Sequence, residues 1–182
     1  IIVPFIFMID KRTFLKTSIY TTAASIAPTS WILALSDAEK KHTLKVGIIT
    51  DLHCGKLAPD ANERLKKFAT QATKENPDYI IQLGDFCHPE PAANALLETW
   101  NAIPFPKHHV LGNHDMDKGT KADIQKLWGM EKRYYDFDHN GWKFIIVDMN
   151  HIRKGNNYIP YANANFYVDS KMRSWPDPEQ LA

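Results

Sequence analysis

The sequence predicts an α/β fold in which strands and helices alternate and a β-hairpin follows. Three observations support this prediction: short apolar runs of strand length, intervening segments with apolar residues at helical spacing, and an Asn-Gly pair between the last two runs. The chain has 182 residues, which suffices for one domain with a substantial core. Its 44% hydrophobic and 24% charged residues exclude a wholly disordered or fibrous chain.

The first half of the pattern predicts two strands and two helices. Residues 45–50 are a short apolar run, as expected of a buried parallel strand. Over residues 59–75 apolar side chains recur at helical spacing between Lys and Glu, and Pro59 suits the start of a helix. Residues 79–83 form the second strand, and a helix follows over residues 91–100.

The second half predicts a third strand, a helix and a hairpin. The strand covers residues 108–111 and the helix residues 120–128. Two further strands, 133–137 and 142–148, are joined through Asn140-Gly141, a pair that supplies the positive dihedral angles of a tight hairpin turn. After the last strand the pattern ends in a polar stretch rich in Asn and Tyr.

Residues 1–40 differ from the rest and are predicted to be an export signal or N-terminal extension. Residues 17–35 carry no charge, follow the basic segment 10–16, and precede small residues, which is the layout of an export signal. The segment Lys-Arg-x-Phe-Leu-Lys is similar to the twin-arginine export motif. A membrane anchor and a buried helix are the alternatives, but Thr, Ser and Pro make up eight of these nineteen residues, which disfavours a stable membrane span. We therefore expect a periplasmic or extracellular protein.

Charge and cysteine content narrow the classes of partner. Twenty-two Lys plus Arg against twenty-one Asp plus Glu leave a net charge of +1, so no nucleic-acid partner is expected. Two cysteines, Cys54 and Cys87, are too few for a disulfide scaffold or a four-thiolate zinc site. Any metal must therefore be held mostly by oxygen and imidazole.

Each of the three predicted parallel strands ends in a polar cluster. The clusters are Asp51-x-His53, Gly84-Asp85 and Gly112-Asn113-His114-Asp115. The carboxyl ends of neighbouring parallel strands face one crevice, so these side chains are expected to converge. Carboxylate, imidazole and amide oxygen are ligands of divalent cations. Each cluster alone could simply form a turn or cap a helix, but three at consecutive strand ends favour a metal site.

These clusters resemble the signature of the calcineurin-like metallophosphoesterases, which reads D-x-H, then G-D, then G-N-H-D or G-N-H-E. The resemblance covers about residues 43–150, including the hairpin. It implies a layered α-β-β-α sandwich for residues 43–182. It also implies metal-dependent hydrolysis of a small phosphate ester, either a monoester or a diester, at a dinuclear metal centre.

The resemblance also implies roles for individual residues. The implied metal ligands are Asp51, His53, Asp85 and Asn113. Asp85 would bridge the two metals, since a bridging group needs an anion with two usable oxygens. His114 would protonate the departing oxygen, with Asp115 orienting its ring. The two ions are expected to be Mn, Fe or Zn, which tolerate mixed oxygen and nitrogen ligands.

Four residues near the clusters have less defined roles. Cys54 and Cys87 are most simply two buried thiols, with a disulfide or direct metal ligation as alternatives. His88 occupies the position of a Tyr in relatives that resemble purple acid phosphatases, so no purple iron chromophore is expected. It either approaches the first metal or faces solvent. His151 follows a strand end and could lie near the crevice.

Two histidine blocks that family members place downstream are absent from this sequence. It contains no Gly-His pair and no histidine after His151. We therefore expect the sequence to be the N-terminal part of a longer phosphoesterase that is truncated at its C-terminus. A catalytically weak or inactive metal-binding remnant is the alternative, and a second chain that supplies the histidines is a third.

Overall fold

The computed structural model describes residues 6–10, 43–55 and 58–181, of which residues 6–10 are described by their backbone alone. The chain divides into two compact units. Among the described residues, the first unit holds 45–135 and 146–181, and the second holds 6–10, 43–44 and 136–145. Most of the predicted export signal lies outside the described residues. No helix in the described ranges is long and apolar enough to cross a membrane.

The first unit is built on a three-stranded parallel sheet in the order β2-β3-β4. Its strands are β2 (Val46–Ile49), β3 (Tyr79–Gln82) and β4 (Lys107–His109). Val46 pairs with Tyr79, and Ile80 pairs with Lys107, so the three strands run side by side in one direction. All four residues of β3 are buried, which explains why this strand reads as a continuous apolar run.

Helices connect these strands, as the apolar spacing predicts. They are α1 (Ala61–Glu75), α2 (Pro91–Ala102) and α3 (Lys121–Trp128). Pro91 occupies the first turn of α2, where its missing N–H costs no hydrogen bond. Thr120 and Asp123 form a capping box at the start of α3, and Gly129 ends that helix in the left-handed conformation.

Of the strands after residue 130, one pair was predicted from the sequence and a second pair was not. Strands β5 (Tyr135–His139) and β6 (Trp142–Ile146) are neighbours in a sheet of order β1-β6-β5, where β1 covers Ile6–Asp10. Strands β7 (His151–Lys154) and β8 (Asn157–Pro160) form a second antiparallel hairpin. The polar composition after residue 150 did not predict it. The α/β fold class is confirmed.

The core of the first unit holds the residue that follows Asp85. Phe86 is fully buried, and its ring lies edge-on to Trp100 at 5.4 Å and to Trp128 at 5.8 Å between centroids. Edge-to-face aromatic pairs contribute about 0.5–1.5 kcal/mol each beyond the area they bury. The loop after β3 is therefore anchored in the core on one side while Asp85 lies at the surface of the crevice.

Candidate metal centre

Hydrogen bonds continue between the strands after their regular pairing ends, and they fix the first two loops against each other. The Leu83 N–H, one residue beyond β3, donates to the Ile49 carbonyl at 3.0 Å. Beyond it, the Asp51 N–H donates to the Gly84 carbonyl at 3.1 Å. The His53 N–H then donates to the Asp85 carbonyl at 2.8 Å. The loops that carry the predicted ligands are thus held at a fixed separation.

Three predicted ligands share a backbone conformation that is uncommon for residues with a side chain. Asp51, His53 and Asp85 have φ values of 54°, 48° and 50°. Such left-handed residues cost on the order of 1–2 kcal/mol each and persist where the surrounding structure holds them. The hydrogen bonds between the loops provide that restraint here. The clustering of this strain at one place is typical of a functional site.

Two glycines bring the second and third loops into contact. A Cβ atom built on Gly84, which has a φ of 99°, would lie 2.3 Å from the Gly112 nitrogen. One built on Gly112 would lie 2.3 Å from the Asp85 nitrogen and from its Oδ1 atom. Neither position tolerates a side chain, which explains the glycine in both sequence clusters.

The side chains of Asp51, His53 and Asp85 converge. Each offers a ligand atom, and these atoms all lie within 4.8 Å of one another. The His53 Nε2 atom lies 3.7 Å from Asp51 Oδ1 and 3.7 Å from Asp85 Oδ2. Donors on one cation are separated by about 3–4 Å when each metal bond is about 2.0–2.2 Å long. This donor set therefore fits a divalent cation.

The charges at this site favour a cation. Burial raises the pKa of Asp85, and the nearby Asp51 carboxylate raises it further, while the backbone N–H of His114 and the His114 and His53 rings lower it. The His114 N–H donates to Asp85 Oδ1 at 2.8 Å, which leaves Oδ2 toward His53. In the part of the chain that the structure describes, no Lys or Arg side chain pairs with either carboxylate. A bound cation would supply the missing positive charge.

Asp115 joins the second and third loops through their backbones. Its side chain is 0% exposed and accepts hydrogen bonds from three N–H groups, those of Asp85 at 3.0 Å, Phe86 at 2.7 Å and Gly112 at 2.8 Å. Burial and the neighbouring Asp85 carboxylate raise the pKa of Asp115. The sequence prediction that Asp115 orients the His114 ring is corrected here, because these backbone groups occupy both of its oxygens.

Asp117 contacts the His114 ring instead. The Oδ2 atom of Asp117 lies 2.9 Å from His114 Nδ1, within the turn that contains a short 3-10 helix over His114–Met116. The His114 ring also lies edge-on to the His53 ring at 5.2 Å between centroids. Asn113, the predicted ligand of a second metal, is buried and directly precedes His114. The third cluster therefore reaches the same crevice as the first two.

His53, Asp85 and His114 line a cavity of about 200 Å³, whereas Asp51 and Asn113 are not among its lining residues. The sequence did not predict the charged residues at one side of it, where Glu90 Oε2 contacts Lys118 Nζ at 2.8 Å and His88 Nε2 at 3.2 Å. His88 thus lies in the cavity wall against Glu90. Arg64 of α1 was also missed, and it donates to the Leu52 carbonyl at 2.7 Å, which holds the first loop. The contacts of Lys118 and Arg64 left no local signal in the sequence, because each joins segments that are far apart in the chain.

Cys54, Cys87 and His151 are also placed by the structure. Both cysteines are buried and not disulfide-bonded. The Trp128 Nε1–H donates to Cys87 Sγ at 3.3 Å, and burial raises the pKa of that thiol. His151 is buried beside Lys121 rather than among the lining residues of the cavity.

Comparison with known proteins identifies the family. The family model described as calcineurin-like phosphoesterase matches residues 44–179, and the chain belongs to this family. The resemblance drawn from the three sequence clusters is thereby confirmed.

Among solved structures, a dimetal phosphatase from Danio rerio matches with 17% sequence identity and a TM-score of 0.44. The match covers 52% of this chain and 40% of that chain, so the chain spans less than half the length of this relative. No curated protein matches the sequence.

Proposed function

We propose that this protein hydrolyses phosphate esters with the help of metal ions held by Asp51, His53, Asp85 and Asn113. The observation that carries the proposal is the convergence of three ligand atoms within 4.8 Å at the ends of adjacent strands. Membership of the calcineurin-like phosphoesterase family supports the reaction class. Asp51, His53 and Asp85 suit one cation, and Asp85 with Asn113 are the candidates for a second.

Bound cations would polarise the phosphoryl group and lower the pKa of an attacking water. The side chains of this protein have complementary tasks. Asp85 keeps one oxygen on the backbone N–H of His114, so its carboxylate plane is fixed relative to the third loop. His53 lies beside the other carboxylate oxygen of Asp85 and beside the Asp51 carboxylate. Asp115 holds the second and third loops together through its hydrogen bonds to both backbones.

His114 is suited to protonate the departing oxygen. Asp117 lies against Nδ1 and favours a proton on that atom, so Nε2 is the ring atom that exchanges its proton with a substrate. An imidazole ring can both donate and accept a proton, which suits a group that must give up a proton and regain it. Asp117, rather than Asp115, is the orienting carboxylate in this proposal.

For the substrate, the metal ions and the cellular location we propose a class rather than a single identity. We propose a small phosphate ester, either a monoester or a diester, because the cavity measures about 200 Å³. The ions are proposed to be Mn, Fe or Zn, which accept mixed carboxylate, imidazole and amide ligands. Export to the periplasm or the extracellular space is proposed from the basic start and the uncharged segment over residues 17–35.

The test compares Asp85→Asn with Glu98→Gln, which removes one charge from an exposed position of α2. Mn²⁺ binding is measured by equilibrium dialysis, and hydrolysis is measured with p-nitrophenyl phosphate and its bis ester. Asp85→Asn should weaken Mn²⁺ binding at least about a hundredfold and remove metal-dependent hydrolysis, since the amide carries no charge. Glu98→Gln should retain both. Unchanged hydrolysis by Asp85→Asn would contradict the proposal, and Mn²⁺ binding without hydrolysis would leave only a metal-binding protein.

A second variant separates the proton donor from the metal ligands. His114→Ala should lower turnover by about 10²–10⁴-fold, the usual contribution of a positioned acid or base. The Mn²⁺ stoichiometry should remain that of the unchanged protein. Loss of bound Mn²⁺ in this variant would instead assign His114 to the ligand set.

A further inference from the structure

One large aromatic side chain beside the candidate metal centre is exposed. Tyr167 is 68% exposed, and its ring centroid lies 6.4 Å from that of His114. The preceding residue, Phe166, is 1% exposed and lies edge-on to the same His114 ring at 5.6 Å. The two aromatic rings are 4.7 Å apart. Phe166 therefore supports both His114 and Tyr167, while much of the tyrosine ring faces solvent.

The segment that carries these rings, residues 162–168, is fixed to the turn that contains His114. The Ala164 N–H donates to the Met116 carbonyl at 2.9 Å. Asn163 and Gly119 exchange two hydrogen bonds, one from the Asn163 N–H at 3.0 Å and one to the Asn163 Oδ1 atom at 2.9 Å. The position of Tyr167 relative to His114 is thus set by the backbone.

This segment also contains backbone strain. Ala164 has a φ of 58°, in the left-handed region, and Asn163 before it has a φ of 46°. Asn adopts this conformation readily, but alanine gains nothing from it and pays a cost of about 1 kcal/mol or more. Strain of this kind persists where a particular chain path is needed. Here that path holds an exposed aromatic ring next to the proposed proton donor.

We infer that Tyr167 binds the leaving group of the substrate by ring stacking, so that the preferred phosphate esters carry a planar ring, such as a nucleobase, on the leaving alcohol. The inference rests on the proposed function, in which His114 contacts the oxygen that departs. A group attached to that oxygen extends within a few ångströms of His114, and the exposed Tyr167 ring lies 6.4 Å from the His114 ring. Aromatic side chains stack on bases of any sequence because every base has a flat π face.

The test uses two esters with the same leaving hydroxyl, adenosine 5′-monophosphate and ribose 5-phosphate. Ribose 5-phosphate carries a hydroxyl group where adenosine 5′-monophosphate carries the base, so the ratio of their kcat/KM values reports the contribution of the base. With Mn²⁺ present, Tyr167→Ala should lower this ratio about tenfold, the order of one stacked base. Tyr167→Phe should retain the ratio because it keeps the ring. Tyr158→Ala, which removes a tyrosine from the β7–β8 hairpin, is the matched control.

Binding of adenosine provides a second readout that needs no turnover. Adenosine carries the ring and the leaving hydroxyl but no phosphoryl group, and its affinity for the full chain should fall about tenfold in Tyr167→Ala. An unchanged ratio together with unchanged adenosine affinity would overturn the inference, as would an equal loss with both esters. If the unchanged protein hydrolyses neither of these esters and neither p-nitrophenyl ester, the proposed function fails. Adenosine binding that depends on Tyr167 would still support stacking.

Discussion

The first unit contains two groups of charged side chains that differ in how their charges are balanced. One is a buried charge network formed by Lys121, Arg133, Asp148, His151 and Asp177. Lys121 Nζ lies 2.6 Å from Asp148 Oδ2, and Arg133 lies 3.2 Å from the same oxygen and 2.7 Å from Asp177. Asp148 is 0% exposed at its side chain, yet two cations of the chain accompany it.

The candidate metal centre has the opposite balance. Asp51 and Asp85 face each other across His53, and where the structure describes the chain neither pairs with Lys or Arg. The Asp85 side chain is largely buried while that of Asp51 is exposed. Because like charges repel and an unpaired charge is costly to bury, this pair of carboxylates favours binding of an external cation. Asp148 and Asp177 are thus neutralised by side chains of the protein itself, whereas Asp51 and Asp85 would be neutralised by the cation of the proposed function.

The largest expected effect is on the buried charge network. Lys121→Met should lower the free energy of unfolding by about 3 kcal/mol, because removing one partner leaves the buried Asp148 carboxylate with Arg133 alone. Urea unfolding without added metal measures this. Lys126→Met, which replaces an exposed lysine of the same helix, is the control and should change stability by less than about 0.5 kcal/mol. Equal losses in the two variants would show that the network contributes no special stability.

Metal addition should act on the other group alone. Mn²⁺ at about one hundred times its dissociation constant should stabilise the protein by about 2.7 kcal/mol, because it binds the folded state. Asp85→Asn should lose this stabilisation by Mn²⁺. Lys121→Met should keep it, although its free energy of unfolding without metal is lower. The shift of the urea midpoint with and without Mn²⁺ measures both. An equal increment in all three proteins would place the bound metal elsewhere.

A third prediction compares matched substitutions of aspartate without metal. Burial is the main cause of the raised pKa of Asp85, and the Asp51 carboxylate adds to it. Asp51→Asn removes this repulsion and should raise the free energy of unfolding by up to about 0.5 kcal/mol. Asp177→Asn should lower it, because Asp177 contacts both Arg133 and His151. Chemical unfolding of the two variants gives the signs. A loss of stability in Asp51→Asn would contradict the view that the charges of the candidate metal centre, unlike those of the buried charge network, are unbalanced without metal.

The smallest expected effect is a pH dependence of the network. Burial and Lys121 lower the pKa of His151, so its protonation is less favourable in the folded protein than in the unfolded chain. The contribution of His151 to stability is therefore present at neutral pH and decreases as the pH falls below about 6.5. Unfolding at about pH 7.5 and pH 5.5 should show a smaller acid loss for His151→Gln than for the unchanged protein. Equal losses of stability in the two proteins would show that protonation of His151 does not destabilise the folded state.

The sequence was most informative where chemistry coincides with a local pattern. Asp51, His53 and Asp85 follow apolar runs, and parallel pairing carries their loops to one edge of the sheet, so their convergence follows from periodicity and topology. The role of Asp115 could not be predicted in this way. Its partners are the backbone N–H groups of Asp85 and Phe86 in the second loop and of Gly112 in its own loop. Bonds between a side chain and a distant backbone leave no periodic trace in a sequence.

The strand boundaries show the same limit. The third strand was predicted over 108–111, but β4 ends at His109, and Val110 and Leu111 are buried beyond the regular pairing. The β7–β8 hairpin was missed because most of its second strand is exposed and carries little apolar signal. Burial by neighbouring segments, and not the residues themselves, decides these cases.

The contact between Gly84 and Gly112 restricts how the centre can change. Because main-chain atoms touch there, the spacing of Asp85 and Asn113 is set by peptide geometry rather than by packed side chains. We therefore expect mutations in the surrounding core to change stability more than they change that spacing. A new metal preference would therefore have to arise by exchanging the donor atoms themselves, which makes ligand replacement the practical route for engineering this site.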